Sequence, residues 1–421
     1  MESYTELDML ESTDYALCLI NIANCMHNLG DTQNAIKNAE EAKAIYRKHY
    51  STEHPRYISL QINIAGYHSA IGDHPKAIEM TKEILPTATK VMGDGSYYHI
   101  WILNDLAIYY NIIGDNKTAI KIGEEALSKA KLTLNEKEKL YSTLLNNLAS
   151  FYDAAGNLKE AINISKEVLS IRKRTVGNKH PDYALTLNNL ATYNYKNGNI
   201  EKALDYYIQA LGIQAETSLI GYAHTLQNIA DCFFELGAKD EAIKYTTESL
   251  REREKIYGKR HEEYAHSLFQ LASYKLAAED TIDFSSSFIE LYDIRSQVIR
   301  DMFSKLTAKE REIYWQENNT FFEEDIPFVA HYIENQQLIG AAYNASLLTK
   351  GVLLDTELAM EQLLQESGDN SVVSLYKELK ANRMLLDKLY GQPVADRKLN
   401  TDSLESLTNK QEQQLIKKSK A

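Results

Sequence analysis

Six glycines keep station along this chain: Gly30, Gly72, Gly114, Gly156 and Gly198 lie 42 residues apart, and Gly237 follows after 39. Two alanine columns keep the same step. Ala23, Ala65, Ala107, Ala149, Ala191 and Ala230 come seven residues before each glycine, and Ala35, Ala77, Ala119, Ala161, Ala203 and Ala242 five after it. A repeat of this length and regularity specifies an array of helical hairpins, each too small to bury its own apolar face.

Each column has a physical task. The glycine ends one helix in a left-handed turn that a β-carbon disfavours, and Asp31, Asp73, Asp115, Asn157 and Asn199 then open the next helix. The alanines stand where the two antiparallel helices cross, because a larger side chain would push the axes apart. Ile22, Ile64, Leu106, Leu148, Leu190 and Ile229 before the first alanine supply the stripe that packs on neighbours, as do Ile36, Ile78, Ile120, Ile162, Leu204 and Ile243 after the second. Tyr15, Tyr57, Tyr141, Tyr183 and Tyr222 mark the start of each first helix, and His99 takes that place in the third unit. A seventh unit is eroded: Tyr264, Leu271 and Ala272 keep their places, while Glu279 replaces the turn glycine and Phe284 the second alanine. The reading is therefore all-α: a right-handed α-solenoid of about seven hairpins over residues 1–305, then a non-repeating helical connector and charged C-terminal helix over 306–421.

Six prolines and 18 glycines among 421 residues agree with an almost wholly helical chain. A formal charge of −13 disfavours nucleic acid as a partner, since phosphate contacts need clustered cations. No apolar run approaches the roughly 20 residues of a membrane span, which points to a cytoplasmic protein without a membrane partner. Cys18, Cys25 and Cys232 fall inside first helices and are expected to be buried, inert thiols, with no spacing that suits a disulfide framework or a zinc site.

The locked alanines around a turn glycine resemble the tetratricopeptide repeat. The run Gly177-Asn178-Lys179-His180-Pro181-Asp182-Tyr183-Ala184-Leu185-Thr186-Leu187-Asn188-Asn189-Leu190-Ala191 resembles its kinesin light chain class. His54-Pro55 repeats that junction, and Gly258 and His261 keep all of it but the proline, so the junction histidines read as structural. Further on, helices are expected over Phe284–Leu306, Ala308–Asn318, Phe328–Ile333, Leu338–Leu364 and Val372–Tyr390, with a break or kink at Pro327. Within them, Ala342-Tyr343-Asn344-Ala345-Ser346-Leu347-Leu348-Thr349-Lys350-Gly351-Val352-Leu353-Leu354 is similar to the connector of bacterial repeat proteins that end in a CHAT domain, a caspase-like protease. Gln411 to Ala421 resembles the last connector helix of that family. The resemblance implies a sensor or scaffold half whose partner is a CHAT protease domain in cis or in trans; no cysteine lies beyond Cys232, so this chain cannot supply the nucleophile.

No other catalytic pattern holds. His261 and His266 are five residues apart, about 140° round a helix, where a zinc-protease motif needs four. Gly93-Asp94-Gly95-Ser96 lacks the lysine of a phosphate loop and reads as a repeat junction. Neither a cofactor, a metal nor catalysis is expected. Function is instead expected on the concave side lined by the first helices. In the tetratricopeptide pattern the inward positions lie thirteen, ten, nine, six and three residues before the turn glycine. They give an amide ladder, Asn104 with Asp105, Asn146 with Asn147, Asn188 with Asn189 and Gln227 with Asn228, flanked by Trp101, Thr143, His224, Asn111, Asp153, Tyr195, Asp231 and Phe234. Primary amides can pair with the backbone of an extended peptide, and aromatic anchors dominate binding energy. The asparagines nine before the glycine could equally bond between adjacent helices and stiffen the array. A protein-binding scaffold is the leading reading; a regulatory half of a CHAT protease and a self-associating module are its rivals.

Overall fold

The computed structural model describes residues 12–133, 139–303, 306, 308–348, 370–390 and 401–418, and every regular element among them is helical. Two compact units divide the chain, Met1–Leu236 and Gly237–Ala421. That division tracks compactness and falls at the sixth turn glycine, whereas the boundary read near residue 305 tracks the end of the period.

The first unit is a run of hairpins: α1 (Thr13–Asn28) with α2 (Thr32–His49), α3 (Pro55–Ala70) with α4 (His74–Met92), α5 (Tyr97–Ile112) with α6 (Asn116–Thr133), α7 (Lys139–Ala154) with α8 (Leu158–Thr175), and α9 (Pro181–Lys196) with α10 (Ile200–Thr217), followed by α11 (Leu219–Glu235). Each second helix packs on the next first helix, and the first helices α3, α5 and α7 also meet directly, as do α9 and α11. The first helices thus form a continuous layer of their own.

The turns explain the glycine column. All six glycines have φ between 78° and 88°. In the first hairpin the Gly30 N–H donates to His27 O (2.9 Å) and the Asp31 N–H to Met26 O (2.8 Å), so two carbonyls of the ending helix are satisfied by the left-handed turn itself. The same pair of bonds recurs at Gly72, Gly114, Gly156 and Gly198. Asp31, Asp73 and Asp115 then accept the N–H of Asn34, Lys76 and Thr118, capping the second helix. Asn157 and Asn199 hold the same backbone position without a side-chain cap. The alanine columns are 1 % exposed or less throughout this unit.

Junctions between hairpins are tied by the histidines. His54 and His180 cap α3 and α9 by accepting the N–H of Arg56 and Asp182 at Nδ1 (3.2 and 3.1 Å), and Pro55 and Pro181 sit in the first turn, where no N–H is missed. Buried Arg172 reaches across the same junction to the Asp182 carbonyl (2.7 Å). His99, standing in for tyrosine, is buried and accepts the Gly95 N–H at 2.9 Å.

One expectation about α1 fails. Cys18 and Cys25 are exposed, and only Cys232 is buried. Ile22 shows the cause: it is 44 % exposed, whereas its counterparts Ile64, Leu106, Leu148, Leu190 and Ile229 are at most 3 % exposed. In the later hairpins the stack covers that stripe, and on α1 the stripe and the thiols beside it stay open.

The second unit holds α12 (Lys239–Tyr257), α13 (Glu262–Ala277), α14 (Thr281–Phe303), α15 (Ala308–Asn318), a π-helical turn (Phe321–Asp325), α16 (Ile326–Tyr332), α17 (residues 336–348), α18 (Asn370–Tyr390) and α19 (Thr401–Lys418). His261 caps α13 as His54 caps α3, and Arg253 reaches the Glu263 carbonyl as Arg172 reaches that of Asp182. The eroded turn keeps its shape. Glu279 is the one non-glycine residue with positive φ (64°) among the described residues, and it and Asp280 repeat the two turn bonds, to Leu276 O and Lys275 O. Phe284 is buried against Phe288, filling with an aromatic ring the place an alanine holds elsewhere. Pro327 opens α16 rather than breaking it, directly after the π turn. Of the connector stretch, Ala345 and Leu348 join this unit's core; the expected helix beyond residue 348, to Leu364, and the chain's last residues after 418 lie outside the described residues.

Candidate functional site

The inward positions of α5, α7, α9 and α11 meet on the layer of first helices, and their amides are paired with one another. Asn147 Nδ2 donates to Asn104 Oδ1 (2.9 Å), and Asn189 Nδ2 donates to Asn146 Oδ1 (3.1 Å). Thr225 Oγ1 continues the series to Asn188 Oδ1 (2.9 Å). Asn147 and Asn189, nine residues before their glycines, therefore serve the ten position of the hairpin before, and Thr225 rather than Asn228 does so for Asn188. Asn104 is buried, and Asn146, Asn147, Asn188, Asn189 and Asn228 are half-buried, so the ladder is a seam between helices with one edge toward the open face.

Apart from the Thr225–Asn188 bond, which spans 37 residues, the partners along this layer share one spacing. Asn104 to Asn147, Asn146 to Asn189, Ser150 to Tyr193, Asp153 to Lys196 and Asn24 to Tyr67 are all 43 residues apart. One period plus one residue is the register in which successive first helices touch. Lys196, which stands in none of the inward columns, is brought to the face by this step; its ammonium binds both oxygens of Asp153, at 2.7 and 3.0 Å.

The remaining candidates sit along the same layer with different surroundings. Trp101 is 43 % exposed, with the Tyr97 ring beside it, tilted by 30° at 6.1 Å between ring centres. Thr143 spends its hydroxyl on the Lys139 carbonyl. Asn111 is half-buried with its Oδ1 unpartnered. Toward α11, Gln227 is buried, donates to Asp231 (3.0 Å) and keeps its own Oε1 unpartnered. His224 is exposed and Phe234 half-buried. Burial, and after it the carboxylates of Glu235 and Asp231, pushes the Tyr195 hydroxyl up to about 12. The buried Cys232 thiol is likewise pushed up to about 12, first by burial, so it stays protonated and is no nucleophile at neutral pH.

Asp105 is the strongly perturbed carboxyl of the face. Burial pushes its carboxyl up to about 7, against the hydrogen bonds it accepts from the Trp101 indole and the Asn104 amide, which favour the ionised form. Among the described residues no group of three or more His, Cys, Asp or Glu side chains could hold a metal ion, and no helix is long and apolar enough to cross a membrane.

A tetratricopeptide repeat family model matches residues 14–90, 63–131 and 140–216. No curated protein matches the chain. Among solved structures, the nearly identical repeats of a putative kinesin light chain from Podosopora anserina are 24% identical, with a TM-score of 0.44 over 49% of this chain and 99% of that one. BtubC (BKLC) from P. vanneervenii is 20% identical, with a TM-score of 0.44 over 61% and 94%. A signal transduction ATPase with a tetratricopeptide repeat sensor, from Pyrococcus horikoshii, is 15% identical, with a TM-score of 0.50 over 77% and 52%. This last is a likeness of fold alone.

Proposed function

We propose, from the premise that residues 14–131 and 140–216 are tetratricopeptide repeats, that this protein-interaction scaffold holds an extended peptide or partner helix along the layer of its first helices. The observation that carries the proposal is the condition of that layer. Its amides are already bonded from hairpin to hairpin, so the wall does not have to be ordered when a ligand arrives. Large anchors remain available on it, above all Trp101 at 43 % exposure. The amides then contribute mainly stiffness and the hydrogen-bonding capacity that the seam leaves over, and the aromatic side chains contribute most of the affinity. Binding rather than turnover is the activity that such a face supports.

The test is a selection of random peptides on the full chain, followed by affinity measurements on Trp101→Ala and Tyr195→Ala. Loss of about tenfold or more in binding at an unchanged melting temperature supports the reading, since an anchor in a binding face is worth about 2 kcal/mol or more. Peptides that bind both variants as tightly as the native chain would place recognition elsewhere and refute it.

A further inference from the structure

Within the face just described, one carboxylate has a cation beside it and another has none. Asp153 is answered by Lys196, one period plus one residue further on. The same step from Asp105 arrives at Leu148, which is 3 % exposed and brings no charge. Among the described residues the hydrogen-bond partners of Asp105 are the Trp101 indole and the Asn104 amide (3.5 Å), the Tyr109 phenol lies near enough to feel its charge, and no cation answers it. Its carboxyl is held up near 7 because burial is not offset by a positive charge.

Trp101 and Asp105 are one helical turn apart on α5, so the exposed indole and the carboxylate share an edge. Tyr97 and Tyr98, 46 % and 50 % exposed, extend the aromatic shelf by another turn. Resting on the reading above, we infer that the Trp101–Asp105 edge is a seat for an arginine of the bound polypeptide, whose recognised segment is therefore basic. A guanidinium is planar and weakly hydrated, lies flat on an indole, and forks onto a carboxylate through two parallel N–H donors. Asn147 holds Asn104, and Asn104 holds Asp105, so the acceptor is fixed before the arginine arrives. An acidic segment would meet repulsion at the same edge. Asp231 and Glu235 on α11, close enough to raise Tyr195, give the far end of the face the same sign.

The experiment uses the peptides selected on the full chain. The seat predicts enrichment of arginine among them, a loss of about tenfold or more on Asp105→Asn, and a similar loss when the peptide's arginine becomes glutamine, with the two changes together costing little more than one. Circular dichroism confirms that Asp105→Asn is folded. Peptides that lose binding on Tyr195→Ala yet show no arginine enrichment, or ignore Asp105→Asn, overturn the seat and leave the scaffold standing. Peptides indifferent to both Trp101→Ala and Tyr195→Ala overturn the two together.

Discussion

Asp105 shows how much one residue can cost when its environment is set by packing. The unfolded chain releases this proton near the ordinary value of 3.8, whereas the folded chain keeps it until about 7. Between these values the folded state binds more protons, so this group's contribution to stability is present below pH 4 and is lost as pH rises through 7. Asp105→Asn removes the penalty. Urea denaturation should find the variant more stable than the native chain at about pH 8, on the order of 2 kcal/mol after solvent screening at a half-buried site, with the gap closing toward about pH 4. The neighbouring amides act in the other direction. Asn147→Ala leaves the buried Asn104 oxygen without its donor and should cost about 1–2 kcal/mol, and a double-mutant cycle with Asn104→Ala should return a coupling of about 0.5–1.5 kcal/mol. A coupling near zero would mean that the seam contributes nothing to stiffness. The residue types of this seam could be read from the repeat pattern, but its pairing could not, because the step of 43 appears only once the relative shift of neighbouring helices is known.

The hairpin is the element for which sequence and structure agree in detail, because its determinants are local. A left-handed turn needs a residue that tolerates positive φ, a helix start needs a cap, and a close crossing needs a small side chain; each requirement leaves one column. The seventh turn tests the first of these. Glu279 adopts φ 64° under the pull of the same two hydrogen bonds that the glycines make. Glu279→Gly should therefore stabilise the protein by about 1 kcal/mol, seen as a higher denaturation midpoint with an unchanged slope; a loss would mean that the glutamate side chain repays its strain. Ala149→Leu or Ala191→Leu should do the opposite. Both alanines are at most 1 % exposed at a helix crossing, and overpacking there should cost about 1–3 kcal/mol or more. The exposed thiols of α1 mark where local rules stop, since Cys18 and Cys25 occupy positions whose burial depends on a neighbour in the stack and not on their own helix.

At the scale of the whole chain, repetition makes the first two thirds legible and its absence makes the rest opaque. After Phe284 no column recurs, so helix limits can be guessed from apolar spacing but partners cannot. The structure supplies them through a buried charge cluster in the second unit. Glu412 on α19, 3 % exposed, lies 2.6 Å from Arg383 on α18 and 3.7 Å from Arg311 on α15, and Arg311 also donates to the Phe303 carbonyl that ends α14. Three separate stretches of non-repeating chain are thereby tied to one carboxylate, and nothing in their spacing announces it. Removing one member of such a cluster leaves uncompensated charge in the interior, which costs far more than the cluster gained by forming. Glu412→Ala should cost about 3–5 kcal/mol in the second unit. In an array whose stability is passed between nearest neighbours the damage stays close to its source. Hydrogen exchange on the intact chain should then show lost protection in α15, α18 and α19, while the amides of α7 to α10 keep theirs. Uniform loss across all helices would mean that the chain unfolds as one cooperative block and that the repeat description of its stability is wrong.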